Sequence, residues 1–107
     1  MPVVGKVELK ADKDVKKGEE VSLTELFPYS ERTKEFTVDV DVERDKTKLK
    51  ITVAKLGTIE TTADTTKKKG EKTSLWAITK YSDMSKKVKA SEDIKKGETL
   101  SVTIETI

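Results

Sequence analysis

The chain has 107 residues, a length that fits a single domain built around one core. Its 22 basic and 20 acidic residues are mixed along the sequence and leave a net charge of +2, so no overall field is expected to attract nucleic acid or an acidic membrane. No apolar run approaches the length of a membrane-spanning helix, and the first residues do not follow the pattern of a signal peptide. We therefore predict one domain over residues 1–107 that has no membrane partner.

The composition lacks asparagine, glutamine, histidine and cysteine, whereas lysine, glutamate, threonine and valine are abundant. Loss of thermolabile residues together with a surface rich in lysine and glutamate is typical of thermophilic proteins. Computed design favours the same simple charged surfaces, and natural hairpin turns use asparagine heavily, so its absence slightly favours a designed or redesigned origin. Both origins predict a thermostable scaffold. The absence of cysteine removes the usual sign of a redox compartment, so no cellular location is assigned.

The first predicted strand spans about residues 3–11 and leads into a segment that recurs later in the chain. The sequence of residues 11–24 is repeated, with substitutions, in residues 90–103. In each copy two lysines suit the centre of a type I turn, and Gly18 or Gly97 suits the left-handed position that follows. This predicts two similar hairpins or sheet-crossing connections in one domain, with positive φ at both glycines.

The sequence of the first copy from Val15 to Val21 resembles the edge connections of immunoglobulin-like sandwiches. It is also similar to turns of small β-clip modules such as the SAF domain. The match is confined to the turn and its flanks, and turn geometry alone also accounts for it.

The middle of the chain has the clearest strand period. Residues 33–56 alternate apolar with polar side chains on both sides of a turn at Asp45-Lys46, which predicts a hairpin with Val40 facing Ile51. A single helical turn is possible around residues 23–26. Further strands are predicted over residues 58–62, 73–82 and 99–107, separated by a polar loop over residues 63–72. About seven or eight strands indicate an all-β fold, which we predict to be an antiparallel immunoglobulin-like β-sandwich, with a barrel as the second choice.

The sequence offers no recognisable catalytic or cofactor-binding motif. Histidine and cysteine are absent, and the five glycines do not form a phosphate-binding loop. Asp39, Asp41 and Glu43 alternate along one predicted strand, but pairing with lysines across the hairpin explains them better than a metal site. We therefore predict a protein that is not an enzyme and that has no catalytic residues, cofactor or metal.

Aromatic and methionine side chains supply the best candidate contact surface, because such residues are enriched at binding hot spots. The candidates for contact with a partner are Phe27, Tyr29, Tyr81 and Met84, while Trp76 is expected to anchor the core. The run of lysines in residues 67–72 contains no aromatic residue, so we interpret it as a solvated loop and expect no specific nucleic acid.

Three functions remain open from the sequence. The first is a non-catalytic structural or binding module, natural and thermophilic or designed. The second is a structural subunit of a larger assembly, such as a virion decoration or surface protein, that associates with itself or another protein through edge strands. The third is a weakly nucleic-acid-binding barrel that uses the lysine-rich loop.

Overall fold

A computed structural model describes residues 2–107. The chain is mostly β, with antiparallel strands and four single helical turns. In chain order the elements are β1 (Val3–Lys10), β2 (Glu20–Val21), α1 (Leu23–Leu26), α2 (Tyr29–Arg32), β3 (Glu35–Thr37), β4 (Lys48–Val53), β5 (Gly57–Thr62), β6 (Lys72–Ser74), α3 (Leu75–Ile78), α4 (Tyr81–Met84), β7 (Val88–Lys89) and β8 (Thr99–Thr106).

The largest sheet has four strands in the order β1-β8-β4-β5. Ile51 of β4 lies opposite Ile104 of β8, and Val53 lies opposite Val102. These side chains alternate with polar ones along their strands, so each strand turns one face to the core and the other outward. Leu100, Val102 and Ile104 are all buried, which confirms the predicted inner face of the last strand.

The two halves of the chain are built alike. The elements β1, β2, α1, α2, β3 and β4 have their counterparts, in the same order, in β5, β6, α3, α4, β7 and β8. The order of equivalent strands in the four-stranded sheet is therefore the same when counted from either edge. Each two-stranded sheet contains one strand from each half, since β2 pairs with β7 and β3 pairs with β6. Ser22 caps α1 as Ser74 caps α3, each by accepting a backbone N–H from the third residue of its helix. This pairing pattern is that of two halves related by an internal pseudo-two-fold axis.

Paired turns hold the two halves together. The side chain of Asp93 accepts the backbone N–H of Lys17, and that of Asp14 accepts the backbone N–H of Lys96, each at 2.8 Å. Residues 41–71 hold a second pair of turns of the same kind. These bonds satisfy turn N–H groups that would otherwise be left to solvent, and they fix each turn against its partner.

The repeated segments therefore lie against each other. Val15 and Ile94 form a β-bridge between the two copies, and both side chains are buried. Gly18 and Gly97 each have φ of +90°, which confirms the predicted left-handed turn positions. The closest structural counterpart of residues 11–24 is the segment that begins at Ala63, because Ala11, Gly18 and Ser22 occupy the same places there as Ala63, Gly70 and Ser74.

The predicted hairpin over residues 33–56 is wrong. Phe36 lies in β3, which pairs with β6, while β4 pairs with β5 and β8. Val38 and Val42 are buried in extended segments that bond to the 63–71 loop through Glu71 and Lys67, and Val40 is only partly buried. The alternation therefore indicates extended backbone with one buried face. It does not determine which strand or loop supplies the hydrogen-bond partners of that backbone.

The predicted strand over residues 73–82 is also wrong beyond its first two residues, since the chain turns into α3 at Leu75. The helical turn at residues 23–26 and the strand at residues 58–62 are confirmed. The all-β character is borne out, but the sheets have four, two and two strands, so an immunoglobulin-like sandwich is not confirmed and no barrel closes among the described residues. None of the helices within residues 2–107 has the length and apolar character needed to span a membrane.

Candidate functional site

The four predicted contact residues separate into two groups. Phe27 and Met84 are buried in the core, where no partner can reach their side chains without unfolding. Tyr29 and Tyr81 begin α2 and α4 at equivalent places in the two halves, and they are 58% and 67% exposed. Trp76, expected in the core, is instead 47% exposed.

Trp76 is exposed because α3 is a helical turn rather than a strand. Leu75 and Ile78 lie three residues apart and both are buried, so the residues between them face outward. Ser74 starts the turn by accepting the N–H of Ala77 at 3.2 Å. A strand over the same residues would have placed Trp76 on a buried face.

Tyr29 and Trp76 lie together on the surface. Their ring centroids are 5.7 Å apart and the ring planes meet at 80°, an edge-to-face contact of the kind aromatic pairs prefer. Tyr29 comes from the first half of the chain and Trp76 from the second, so only the folded chain assembles the pair. Local sequence pattern does not predict this pair, because the two residues are distant along the chain and the pattern around Trp76 predicts a strand.

A shallow groove of roughly 320 Å³ runs beside this pair. We call it the Tyr29–Trp76 groove. Besides the two aromatic residues, its lining includes Thr33, Glu35, Lys67, Lys72 and Thr73. It therefore combines aromatic surface with hydroxyl groups and two lysines.

No protein-family model, curated protein or solved structure matches the chain.

The two lysines of the groove are free of ion-pair partners. Within the part of the chain that the structure describes, neither Lys67 nor Lys72 takes part in a salt bridge, and nor does the acidic lining residue Glu35. Elsewhere on the surface, by contrast, Lys87 of the second half and Glu25 of the first form a salt bridge beside α1. The groove thus holds two lysines and one glutamate, none of which is paired in a salt bridge among the described residues.

Thr73 forms part of the lining and is 4% exposed. Its Oγ1 atom is buried and makes no hydrogen bond within residues 2–107. Val21, a residue of nearly the same shape, occupies the equivalent place in β2. The fold therefore does not require a hydroxyl at this position.

A larger concavity of roughly 750 Å³ lies near the paired turns, and Lys55 and Glu98 in its lining form a salt bridge. Glu98 receives the ammonium of Lys55 and the backbone N–H of Lys95, and these bonds lower the pKa of its carboxyl and raise the pKa of the Lys55 ammonium. Because the same groups organise the turn, we interpret this concavity as structural.

The other shifted carboxyls are explained in the same way. The ammonium of Lys87 and the backbone and hydroxyl groups of Ser22 lower the pKa of Glu25 to about 2, and Ser22 and Glu25 form a capping box at the start of α1. The hydroxyl of Thr61, which donates at 2.6 Å, lowers the pKa of Asp83. The part of the chain that the structure describes contains no cluster of three acidic groups arranged to hold a metal ion.

Proposed function

We propose that the chain is a non-catalytic binding module that uses the Tyr29–Trp76 groove as its contact surface. The observation that carries the proposal is the exposure of two large aromatic side chains in contact with each other. Exposed aromatic residues contribute much of the energy of binding because they bury large areas with little loss of conformational entropy. Here they are joined to a groove with free polar groups.

The scaffold behind the groove supports this role. Leu75 and Ile78 anchor α3 in the core, and α2 is tied to the neighbouring backbone by Arg32, which donates to the carbonyl oxygen of Phe27 at 3.0 Å. Rigid placement lowers the entropy lost on binding. The immunoglobulin-like sandwich predicted from the sequence is not needed for this role, since β6 and the helical turns position the groove.

The test uses labelled protein on arrays of three defined probe classes: single-stranded oligonucleotides, oligosaccharides and short peptides of known sequence. At least one class is expected to bind the wild type and to be lost with Trp76→Thr, which copies the residue Thr24 found at the equivalent place in α1. The matched control is Tyr81→Ala, which removes an exposed tyrosine outside the groove and is expected to keep binding. If no class shows this difference, the proposal fails.

A structural subunit of a larger assembly is the second candidate, and one observation favours it. β5 lies at an edge of the four-stranded sheet, where its outer backbone groups could pair with another strand. The charge of Glu60 on β5 acts against such pairing. Light scattering after size-exclusion chromatography separates the two candidates, because an assembly subunit forms oligomers at high concentration and the proposed module stays monomeric.

The proposal also expects no turnover of generic ester, phosphate or glycoside substrates. The sequence supplies no histidine or cysteine, and the shifted carboxyls are held by lysines, hydroxyls or backbone N–H groups. A turnover abolished by one serine or carboxylate substitution would overturn the non-catalytic part of the proposal.

A further inference from the structure

Resting on the proposed function, we infer that the Tyr29–Trp76 groove binds single-stranded nucleic acid without sequence preference. The lysine-rich loop has no aromatic residue of its own, but the fold brings Tyr29 and Trp76 to the same groove as Lys67 and Lys72. Stacking surfaces beside cationic side chains are the two elements that such binding requires.

The aromatic pair supplies the stacking surface. Because the two rings meet edge to face at 80°, they cannot cover each other as they would in a parallel stack. Both side chains stay about half exposed, so ring surface is open to an unpaired base. Every base has a π-face, which makes this contact tolerant of sequence.

The lysines supply the contacts to phosphate. Lys67 and Lys72 line the groove without salt-bridge partners among the described residues, and Lys68 and Lys69 lie exposed in the turn between them. Cationic side chains favour a polyanion over a neutral oligosaccharide, and a groove lined by both aromatic rings and lysines suits a ligand that carries both bases and phosphates. A single strand meets these conditions, whereas a duplex hides the faces of its bases.

The internal duplication shows that these residues are not demanded by the fold. At the equivalent places of the other half, Thr24 stands for Trp76, Val15 for Lys67 and Glu20 for Lys72. The first half therefore folds its turns and strands in the same way without this combination of aromatic and cationic groups. All three of these second-half residues line the groove, as expected if they serve binding.

The experiment titrates the protein into a labelled oligothymidylate of about ten nucleotides and follows fluorescence anisotropy. We expect a dissociation constant of about 10⁻⁴ to 10⁻⁶ M, and a fall of log K with log salt of slope about −1.4 if two phosphate contacts are made. Trp76→Thr is expected to weaken binding at least about fivefold through lost stacking. The double variant Lys67→Ala with Lys72→Ala is expected to flatten the salt slope.

Matched controls keep the result specific to the groove. Lys95→Ala with Lys96→Ala removes the same charge from a similar turn, and Tyr81→Ala removes an equivalent tyrosine; both are expected to bind as the wild type does. Binding that is lost equally in these controls would show a general charge effect and overturn the inference. Absence of oligothymidylate binding, with peptide or oligosaccharide binding that depends on Trp76, would overturn the inference and leave the proposed function standing.

Discussion

Thr73 and Val21 occupy equivalent places in the two halves, and only Thr73 brings a buried polar atom without a partner. Both side chains are almost fully buried, and they differ chiefly in one hydroxyl group. A second such pair is Thr79, whose hydroxyl is also buried and unpaired, and Phe27. The halves are thus alike in backbone, while the second half carries polar groups in its core that the first half does without.

Replacing Thr73 by valine is expected to stabilise the protein by about 1 kcal/mol, since the substitution removes an unpaired buried hydroxyl and keeps the shape of the side chain. Urea denaturation measures the change. The matched control is Thr61→Val, which removes a hydroxyl that donates to Asp83 and is expected to destabilise the protein. A Thr73→Val variant less stable than the wild type would contradict the absence of a partner.

Gly5 marks a place where the sheet admits no side chain. A Cβ atom there would lie 2.3 Å from Cδ2 of Phe36, and the pairing of β1 with β8 is irregular just before Gly5. Gly5→Ala is expected to cost about 1–3 kcal/mol through overpacking, measured by thermal or chemical unfolding. In a Phe36→Leu background the same substitution should cost less, because a shorter side chain leaves room; equal costs in both backgrounds would rule out this contact as the cause.

Gly97 is constrained by its backbone and not by neighbours. Its φ is +90°, and a Cβ atom would meet nothing within 4 Å, so Gly97→Ala is expected to cost about 1 kcal/mol from conformational strain alone. Asp45 holds the equivalent place in the first half with φ of 64°. Gly97→Asp should therefore be better tolerated than Gly97→Ala, because aspartate adopts the left-handed region more readily than alanine. Chemical denaturation of both variants compares the two costs.

The sequence predicted where the backbone is extended better than it predicted which strands pair. The alternation in residues 48–53 and 99–107 marks strands with one buried face, and the structure contains both. The same alternation in residues 36–42 suggested a hairpin, although the valines there face the core from segments that bond elsewhere. Alternation of apolar and polar residues indicates an extended backbone with one buried face, whereas the strand with which that backbone pairs depends on the whole chain.

The candidate site was harder to predict for a related reason. A serine followed by apolar residues at the first and fourth places occurs twice, as Ser22-Leu23-Leu26 and as Ser74-Leu75-Ile78, and each starts a single helical turn. Reading the second occurrence by analogy with the first would have placed Trp76 on an outer face. The contact of Trp76 with Tyr29 across the chain had no local signal.

The thermal midpoint is expected to lie above about 80 °C, because the surface mixes lysine with glutamate and no asparagine is present to deamidate. Heating and cooling should be reversible, since no cysteine can form incorrect disulfides. Differential scanning calorimetry with repeated scans measures both. A midpoint of about 45–65 °C, the range of ordinary mesophilic domains, would remove the explanation offered for the missing residue types.

The acid dependence of stability should be traceable in part to Glu25. The pKa of its carboxyl is about 2 in the folded chain, against an ordinary value of 4.5, because Lys87 and the groups of Ser22 favour the ionised form. The unfolded chain therefore binds this proton more readily than the folded chain does. The stabilisation is fully present above about pH 4.5 and is lost progressively as the pH falls toward about 2.

Glu25→Gln is expected to lower the melting midpoint at neutral pH and to weaken its fall between pH 5 and about 2, because the variant no longer titrates there. Melting curves at a series of pH values measure this, and added salt should reduce the difference since the pair with Lys87 is exposed. The control is Glu35→Gln, which removes an exposed carboxylate that takes part in none of the salt bridges among the described residues and should keep the acid dependence of the wild type. If Glu25→Gln follows the wild-type curve at every pH, the capping box and the Lys87 pair contribute nothing to the pH dependence, and the acid sensitivity must come from the other paired carboxyls.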